Sequence, residues 1–324
     1  MNITLHNQTC FEAFKNIADQ SVDMVCVDPP YGTTGIEWDK VLDFKLMWAE
    51  LERIVKPKGN IIIFGSQPFT SLVVASKIEW FRHELIWNKN KCGSPGLAKF
   101  RPQKIHENIM VFSKESGGTY NPIMEKGDPY KREAKDKEKG YGTGKNSHSY
   151  GFGNNGKPFL GGENTGTRYP KSILHASRNF SAQQTVHPTQ KPTNVLNWLI
   201  MTYSNPGDTV MDFTMGSGSC GVSAKLTGRN FIGIEQSSEF FNIAKTRIDA
   251  TEGSVVSITD KQLSTQLPDD VQTTPDQKYE QGVMESIRNP DKPAKVKKVK
   301  EEEKVKEEVK QLPATFNEMF QAQA

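Results

Sequence analysis

The stretch that decides the fold is residues 208–221, with the sequence DTVMDFTMGSGSCG. Its opening DTVMD is a short β-rich, apolar run, which predicts a buried strand. The Gly216-Ser217-Gly218 turn comes next, and the apolar residues after it predict a helix at 222–226. A strand that passes through a glycine turn into a helix exposes backbone N–H groups to a ligand.

An acidic residue lies where a nucleoside ligand would need one. Residues 230–234 predict the next strand, and Glu235 follows it, 19 residues after Gly216. This spacing is typical of a carboxylate that accepts hydrogen bonds from ribose hydroxyls. The turn lacks the third glycine of the dinucleotide fingerprint, which argues against NAD. Taken alone, the turn indicates either a nucleoside-containing cofactor or a purely structural feature.

A second motif ends another predicted strand. Residues 22–27 are a short apolar run that stops at Asp28-Pro29-Pro30-Tyr31, because proline cannot continue a central strand. At the carboxyl edge of an α/β sheet, the Asp28 carboxylate and the Pro29 carbonyl are two acceptors beside the aromatic face of Tyr31. The two acceptors can bind the exocyclic amino group of a base while that base stacks on the tyrosine ring. In an arbitrary loop the same residues are an ordinary turn.

Strands and helices alternate along most of the chain. This alternation predicts an α/β fold with a doubly wound, mostly parallel sheet. The Pro-Lys-Gly sequence at 57–59 is expected to end a helix before the next strand begins. Further strands are predicted at 3–5, 60–64, 84–87 and 109–112, and helices at 10–17, 46–55, 195–203 and 238–248.

The formal net charge of +3 on 324 residues hides an uneven distribution. From Arg82 to Lys191 there are 19 basic and 9 acidic residues, whereas the rest of the chain is net negative. Such a local surplus indicates either a polyanionic partner or a solvated basic loop. The 12 glycines between Ser116 and Gly166 predict a loop-rich region within it.

Several classes of protein are disfavoured by the sequence. The longest apolar run, at 61–64, is far too short to span a membrane, and the N-terminus lacks a secretion signal. The four cysteines, Cys10, Cys26, Cys92 and Cys220, form no Cys-x-x-Cys pair. We therefore expect no metal site, no disulfide framework, and a reducing cytoplasm. None of these cysteines follows a proline, which disfavours a cytosine-C5 mechanism.

Taken together, the motifs resemble the beta class of DNA amino-methyltransferases, which modify adenine N6 or, less often, cytosine N4. In that class the Asp-Pro-Pro-Tyr motif comes first in the chain and the glycine turn comes last, as they do here. The resemblance covers roughly residues 3–250 and is carried by segments 28–31, 106–114, 187–192 (HPTQKP), 212–218 and 229–235.

Two positions depart from the class. Asp212-Phe213-Thr214 stands where Asp-Pro-Phe is usual, and Thr9 stands where an acidic residue is often found. The first departure is expected to alter stacking near the cofactor. Because of the second, we assign no adenine contact at the N-terminus.

The resemblance implies a Rossmann-like fold of the S-adenosylmethionine-dependent methyltransferases. It also implies a loop-rich target-recognition insert. Beyond the resemblance, the polar and charged composition of the last residues predicts a C-terminal tail that is partly disordered or helical. The expected parts are a catalytic half at 1–81, a basic insert with late sheet strands at 82–186, a cofactor-binding half at 187–250, and the tail at 251–324.

The resemblance also implies roles for individual residues, with S-adenosylmethionine as cofactor and no metal. The catalytic residues are Asp28, Pro29, Pro30 and Tyr31. The cofactor-binding residues are Asp212, Phe213, Thr214, Gly216, Ser217, Gly218, Glu235 and Lys191, with Lys191 near the methionine carboxylate. The DNA-binding residues are Lys89, Lys91, Lys99, Arg101, Lys104, Arg168, Lys171 and Arg178.

The expected activity is site-specific methylation of the N6 amino group of a flipped adenine in double-stranded DNA. The alternatives are cytosine-N4 methylation by the same machinery and a catalytically silent DNA-binding protein; methylation of RNA or of a protein glutamine is less favoured. We expect a restriction–modification enzyme in the cytoplasm of a bacterial or phage-infected cell, present as a monomer or homodimer. A cognate restriction nuclease is a candidate partner, and no membrane association is expected.

Overall fold

The computed structural model describes residues 1–33, 39–90, 92, 96, 98–132, 162–176 and 190–251. Predictions for Lys91, Arg178, His187 and the tail from residue 252 lie outside the described residues. The elements, in chain order, are β1 (Ile3–His6), α1 (Cys10–Phe14), β2 (Val22–Val27), α2 (Phe44–Ile54), β3 (Val55–Gly65), α3 (Phe69–Ser76), a 3₁₀ turn (Ile78–Trp80), β4 (Phe81–Asn88), β5 (His106–Ser113), β6 (Glu125–Lys126), β7 (Tyr130–Arg132), β8 (Gly162–Asn164), β9 (Thr167–Arg168), β10 (Ile173–His175), α4 (Thr193–Tyr203), β11 (Thr209–Asp212), α5 (Ser219–Leu226), β12 (Asn230–Ile234) and α6 (Ser238–Ala250).

One eight-stranded sheet organises the described residues, with strand order β1-β12-β11-β2-β3-β5-β4-β10. Every pairing in it is parallel except the two made by β5, which runs antiparallel to both β3 and β4. The predicted mostly parallel α/β sheet is therefore confirmed.

Helices cover both faces of this sheet because its central strands are apolar on both sides. Along β2, Val25 and Val27 face one side while Met24 and Cys26 face the other, and all four are fully or almost fully buried. The first face packs against α1, α2 and α3, and the second against α4, α5 and α6. This alternation gives the doubly wound architecture that the sequence predicts.

The prediction that the Pro-Lys-Gly sequence at 57–59 separates a helix from a strand was wrong in detail. Strand β3 already begins at Val55, directly after α2. The pairing with β2 steps from Val22–Val55 to Met24–Asn60, so the intervening residues form a bulge. A bulge leaves residues out of the ladder, and this accommodates a proline that lacks an N–H donor. Helix α1 is likewise shorter than the predicted 10–17.

The basic middle segment contributes to the sheet as well as to loops. Its strands β4 and β5 lie inside the sheet order, and β10 forms an edge parallel to β4. Two further strand pairs, β6 with β9 and β7 with β8, stand apart from the main sheet. Among the described helices, none is long and apolar enough to cross a membrane.

Candidate active site

Three neighbouring parallel strands end side by side at the carboxyl edge of the sheet. Strand β2 leads into Asp28, β11 ends at Asp212, and β12 leads into Glu235. The register pairs Met211 with Val25, so the two motifs are adjacent despite their separation in sequence. The Asp-Pro-Pro-Tyr motif and the glycine turn therefore follow neighbouring strands.

A cavity of about 900 Å³ opens at this edge. All the predicted catalytic and cofactor-binding residues line it except Gly218. The lining residues among them are Asp28, Pro29, Pro30, Tyr31, Lys191, Asp212, Phe213, Thr214, Gly216, Ser217 and Glu235. Gly218 instead lets the turn approach α6: it has a φ of +80°, and a Cβ built there would come within 2.9 Å of the Ala244 Cα atom.

The Tyr31 side chain is fixed by two contacts. Its hydroxyl donates a hydrogen bond to Asp28 Oδ1 at 2.5 Å. Its ring lies against Phe69 with the centroids 5.0 Å apart and the planes 31° apart. Burial, and then the Asp28 charge, raise the pKa of Tyr31 well above its ordinary value, so the phenol remains a donor. The tyrosine is thus held at the cavity wall beside the carboxylate.

Asp39 holds the turn that follows Tyr31. Its carboxylate accepts backbone N–H bonds from Tyr31 and Gly32 through Oδ1, at 2.8 and 2.9 Å, and from Thr33 through Oδ2, at 2.9 Å. Charge-assisted bonds of this kind are about twice as strong as neutral ones. Asp39 was not predicted as a site residue from the sequence. Its position a few residues after a proline turn is a weak signal, because acidic residues are common in loops.

Four buried or partly buried charges alternate in sign next to the Asp-Pro-Pro-Tyr motif. The Lys191 ammonium is bonded to Asp28 Oδ2 and lies 3.4 Å from Glu107 Oε2. The Glu107 Oε1 atom in turn accepts from Lys89 at 2.9 Å. Lys191 comes from the segment before α4 and Glu107 from β5, so the cluster ties three parts of the chain together.

The electrostatics of this cluster follow from burial and from its alternating charges. Burial raises the pKa of Asp28, and the Lys191 ammonium opposes that rise. For Glu107, burial is outweighed by Lys191 and Lys89, which bring its pKa down to about 2. Burial tends to lower the pKa of Lys191, but Asp28 and Glu107 together raise it. Lys191 and Glu107 therefore both carry charge at neutral pH.

The glycine turn binds the carboxylate that was predicted to hold a ribose. The Gly216 N–H donates to Glu235 Oε2 at 2.9 Å, and the Ser237 N–H donates to Oε1 at 2.8 Å. Gly216 has a φ of +52°, in the left-handed region. Arg247 supports the turn by donating to the Ser217 carbonyl at 2.5 Å. Glu235 is thereby fixed at the cavity wall with lone pairs left to accept further bonds.

Asp212 and Thr214 connect the two motifs. The Thr214 hydroxyl donates to the Asp28 carbonyl at 3.2 Å, and the Thr214 N–H donates to Asp212 Oδ1 at 3.1 Å. Burial raises the pKa of Asp212 to about 8, and the nearby Asp28 and Glu235 carboxylates add to the rise. Phe213 is buried and meets Phe14 edge to face at 5.5 Å, so its ring belongs largely to the core.

Three side-chain atoms at the cavity are buried without a hydrogen-bond partner in the part of the chain that the structure describes. They are one donor, Gln8 Nε2, and two acceptors, Gln190 Oε1 and Glu107 Oε2. Thr9, by contrast, is engaged in capping α1: its hydroxyl donates to Glu12 Oε2 at 2.7 Å, and it accepts from the Glu12 N–H. A ligand in the cavity would therefore meet Gln8 rather than Thr9 as an available polar group.

The cavity also contains thiols, and they are poor nucleophiles. Burial raises the pKa of Cys10 to about 11. The pKa of Cys220 is raised well above its ordinary value, first by its hydrogen bond with Cys26 and then by burial. A nucleophilic cysteine needs a lowered pKa, so these thiols are inert components of the wall.

The residues predicted to contact DNA differ in their surroundings. Lys99 and Arg101 are exposed, and Phe100 between them is 84 % exposed. Lys171 is 77 % exposed and lies 3.4 Å from Glu125. These side chains lie at the surface, and an exposed aromatic ring between two cations is typical of nucleic-acid contacts.

Other cations of the predicted DNA-binding set are engaged within the protein. Arg168 donates to Asn164 at 2.5 Å and lies 4.6 Å from the Tyr130 ring. Lys104 donates to Ser66 at 2.6 Å, and its pKa is lowered chiefly by burial. Lys89 is only 12 % exposed and binds Glu107. Their phosphate contacts stay predictions.

Comparison with known sequences identifies a family that matches most of the cavity-forming chain. The sequence model described as DNA methylase, of the N6/N4 type, matches residues 22–246. The type II methyltransferase M1.MboII of Moraxella bovis is 29 % identical over 267 residues, covering 76 % of this chain and 97 % of that protein. The type II methyltransferase M.HinfI of Haemophilus influenzae is 27 % identical over 277 residues, covering 76 % and 68 %.

Solved structures show the same fold. The M1.HpyAVI–SAM complex superposes with a TM-score of 0.51 at 24 % identity, covering 76 % of this chain and 99 % of that one. The PvuII DNA methyltransferase, described as cytosine-N4-specific, gives a TM-score of 0.54 at 17 % identity, covering 82 % and 89 %. At these identities the likeness concerns the architecture.

Proposed function

The chain belongs to the N6/N4 DNA methylase family, and from that premise we propose that it is a type II enzyme acting on the N6 amino group of adenine in double-stranded DNA. The observation that carries the proposal is the position of the Asp28 carboxylate. It lies in the same cavity as the glycine turn and Glu235. A methyl donor at the turn and an amino group at Asp28 would be held close together, which lowers the entropic part of the barrier.

S-adenosylmethionine is the methyl donor of this family, and the side chains that line the cavity fit its polar groups. Glu235 offers acceptors for the ribose hydroxyls, and the Asp212 carboxyl at the end of β11 adds a polar group to the cavity wall. The unpartnered atoms of Gln8 and Gln190 add one donor and one acceptor. When bound, the cofactor supplies a methyl group on a sulfonium sulfur that is already activated for transfer.

Lys191 is proposed to help hold the methionine carboxylate, as the sequence predicts. An ammonium group has three donors; one is bonded to Asp28 and the group lies 3.4 Å from Glu107 Oε2, which leaves a donor for the cofactor. The main chain around Asp212, Phe213, Gly216 and Ser217 is proposed to line the methionine side of the cofactor.

Asp28 and Pro29 are proposed to prepare the amino group. An exocyclic amine is a weak nucleophile because its lone pair is delocalised into the ring. When its two N–H groups donate hydrogen bonds to the Asp28 carboxylate and the Pro29 carbonyl, the nitrogen is favoured to become pyramidal, with its lone pair available for attack. Methylation leaves an extra proton on that nitrogen, and Asp28 is placed to accept it.

Tyr31 is proposed to stack on the flipped base. A base inside a duplex cannot reach the cavity, and extruding it costs a few kcal/mol of lost stacking and pairing. The Tyr31 ring already lies at the wall, supported from behind by Phe69. It would restore part of the lost stacking.

The exposed cations Lys99, Arg101 and Lys171 are proposed to contact DNA phosphates. Adenine is favoured over cytosine because the cytosine-N4 enzymes of this class more often carry serine at the position of Asp28. The type II relatives support a restriction–modification role in a bacterial cytoplasm, with a cognate nuclease as partner.

The proposal is tested by identifying the methylated nucleoside. The purified protein is incubated with unmethylated genomic DNA and methyl-deuterated S-adenosylmethionine. The DNA is then digested for mass spectrometry and, in parallel, read by single-molecule sequencing. We expect deuterated N6-methyladenine at one short sequence, and none with Asp28→Asn. Deuterated N4-methylcytosine would overturn the adenine assignment, and cofactor binding without DNA methylation would indicate a catalytically silent DNA-binding protein.

A further inference from the structure

Both carboxylate oxygens of Asp28 are occupied in this structure. Tyr31 donates to Oδ1 at 2.5 Å, and the Lys191 ammonium is bonded to Oδ2. If the proposed function is correct, on which this inference rests, the target amino group must donate to the same carboxylate. One of the two present donors therefore has to leave Asp28 or share its oxygen.

Glu107 offers a second binding position for Lys191. Its Oε1 atom is bonded to Lys89 at 2.9 Å, which fixes the carboxylate. Its Oε2 atom is buried and has no hydrogen-bond partner among the described residues, although the Lys191 Nζ atom lies only 3.4 Å away. A buried acceptor without a donor is costly, so this oxygen favours an approaching ammonium group.

We propose that Lys191 moves from Asp28 to Glu107 when the target base enters, which frees Asp28 Oδ2 for the amino group. Glu107 is then a positioning residue that acts through Lys191. The displacement is small, since a shortening of about half an ångström brings the 3.4 Å separation into hydrogen-bond range.

Charge pairing makes this exchange feasible. The Lys191 side chain is 9 % exposed and would be poorly solvated if it simply lost Asp28. On Glu107 it keeps a carboxylate partner, and its ammonium stays near the Phe64 ring, whose centroid is 5.1 Å away. The low pKa of Glu107, brought about against burial by Lys191 and Lys89, keeps that partner ionised at neutral pH. The titratable groups that act on Asp28 or are acted on by it are Lys191, Glu107, Tyr31 and Asp212.

Tyr31 is the less suitable donor to leave. Its phenol has Asp28 as its hydrogen-bond partner, and its pKa is raised chiefly by burial, so it stays a neutral donor. Lys191, by contrast, has the Glu107 Oε2 atom 3.4 Å away, an acceptor without a hydrogen-bond donor among the described residues.

A double-mutant cycle tests the exchange. Single-turnover methylation of the target duplex is measured at saturating cofactor for the wild type, Glu107→Gln, Lys191→Met and the double variant. In Glu107→Gln, Asp28 is the one carboxylate that the described residues still place beside Lys191. Lys191 then competes with the base for Asp28, so we expect a rate at least tenfold lower with unchanged cofactor affinity. In the Lys191→Met background, the same Glu107 change should alter the rate less than twofold.

Further variants separate this role from a structural one. Glu107→Asp keeps the charge and should recover part of the rate, and melting temperatures report whether each variant folds. A Glu107→Gln rate equal to that of the wild type, or an equal loss in both backgrounds, would overturn the exchange. A wild type that transfers no methyl group to DNA would instead overturn the proposed function.

A structure of the protein with its target duplex provides a readout that does not depend on turnover. We expect the Lys191 Nζ atom within about 3 Å of Glu107 Oε2 and no longer bonded to Asp28. A seated target base with the Lys191–Asp28 bond intact would contradict the proposal.

Discussion

Lys191 and Asp28 form an ion pair across 163 residues of the chain, at the point where the two motif-bearing halves of the protein meet. The lysine precedes α4, and the aspartate directly follows β2. Because both side chains are largely removed from water, each depends on the other for its charge. The acceptor proposed to hold the target amino group is thus formed only when the whole sheet has assembled.

Replacement of Asp28 by asparagine is expected to lower the methylation rate at least ~100-fold, because a carboxylate that accepts from the amino group becomes an amide that can also donate. Asparagine has nearly the same shape, so the Tyr31 ring should stay in place. Single-turnover rates with a target duplex measure the loss. Cofactor affinity, determined by calorimetry, should change less than threefold, and near-normal turnover would refute the role of Asp28.

Replacement of Glu235 by glutamine is expected to weaken cofactor binding about 10- to 100-fold. The carboxylate now accepts from both Gly216 and Ser237, and an amide nitrogen cannot accept either bond or serve a ribose hydroxyl. Calorimetric titration with S-adenosylmethionine checks this. Glu239→Gln is the matched control, since Glu239 is exposed on the next helix. Equal affinities of the two variants would contradict the assignment.

The site residues that come directly after a predicted strand could be predicted from the sequence. Asp28 and Glu235 directly follow apolar runs, and parallel strands bring their carboxyl ends to one edge. The glycine turn carries its own local signal at Gly216. These residues could be placed without knowing any long-range contact.

The remaining parts depend on contacts that a local pattern does not contain. Glu107 enters the site because β5 runs antiparallel beside β3, and nothing in its neighbourhood in sequence indicates that pairing. Lys191 was predicted to face the cofactor but binds Asp28 and Glu107 in this structure. The bulge that contains Pro57 likewise reflects pairing with β2, which overrides the local tendency of the Pro-Lys-Gly sequence to separate a helix from a strand.

Replacement of Asp212 by asparagine is expected to change stability in a pH-dependent way. Burial raises the pKa of Asp212 from an ordinary 3.8 to about 8 in the folded protein. At a pH between these two pKa values, Asp212 keeps its proton in the folded state but has released it in the unfolded chain. The contribution of Asp212 to the unfolding free energy therefore falls as pH rises from 4 to 8. Asparagine does not titrate, and its oxygen can still accept from the Thr214 N–H.

The unfolding free energy of Asp212→Asn relative to the wild type should therefore increase with pH in this window, by at most about 1.4 kcal/mol per unit. Urea denaturation at pH 5, 6, 7 and 8 measures the difference. Asp249→Asn serves as the control, because Asp249 is 60 % exposed. A difference for Asp212→Asn that does not vary with pH would show that this carboxyl is already ionised in the folded protein.

The double replacement of Lys99 and Arg101 by alanine is expected to weaken DNA binding through lost phosphate contacts. Both side chains are exposed on the segment after β4, whose carboxyl end shares the edge of the sheet with Asp28. Each phosphate contact contributes about 0.9 to the slope of log affinity against log salt concentration. Affinities measured by fluorescence anisotropy between 50 and 200 mM salt should thus give, for the double variant, a slope of log affinity against log salt concentration that is smaller in magnitude by about two. Lys58→Ala is the control, since Lys58 is exposed in the bulge near the opposite end of β3. An equal loss of affinity for that variant would mean that Lys99 and Arg101 are not part of the DNA-binding surface.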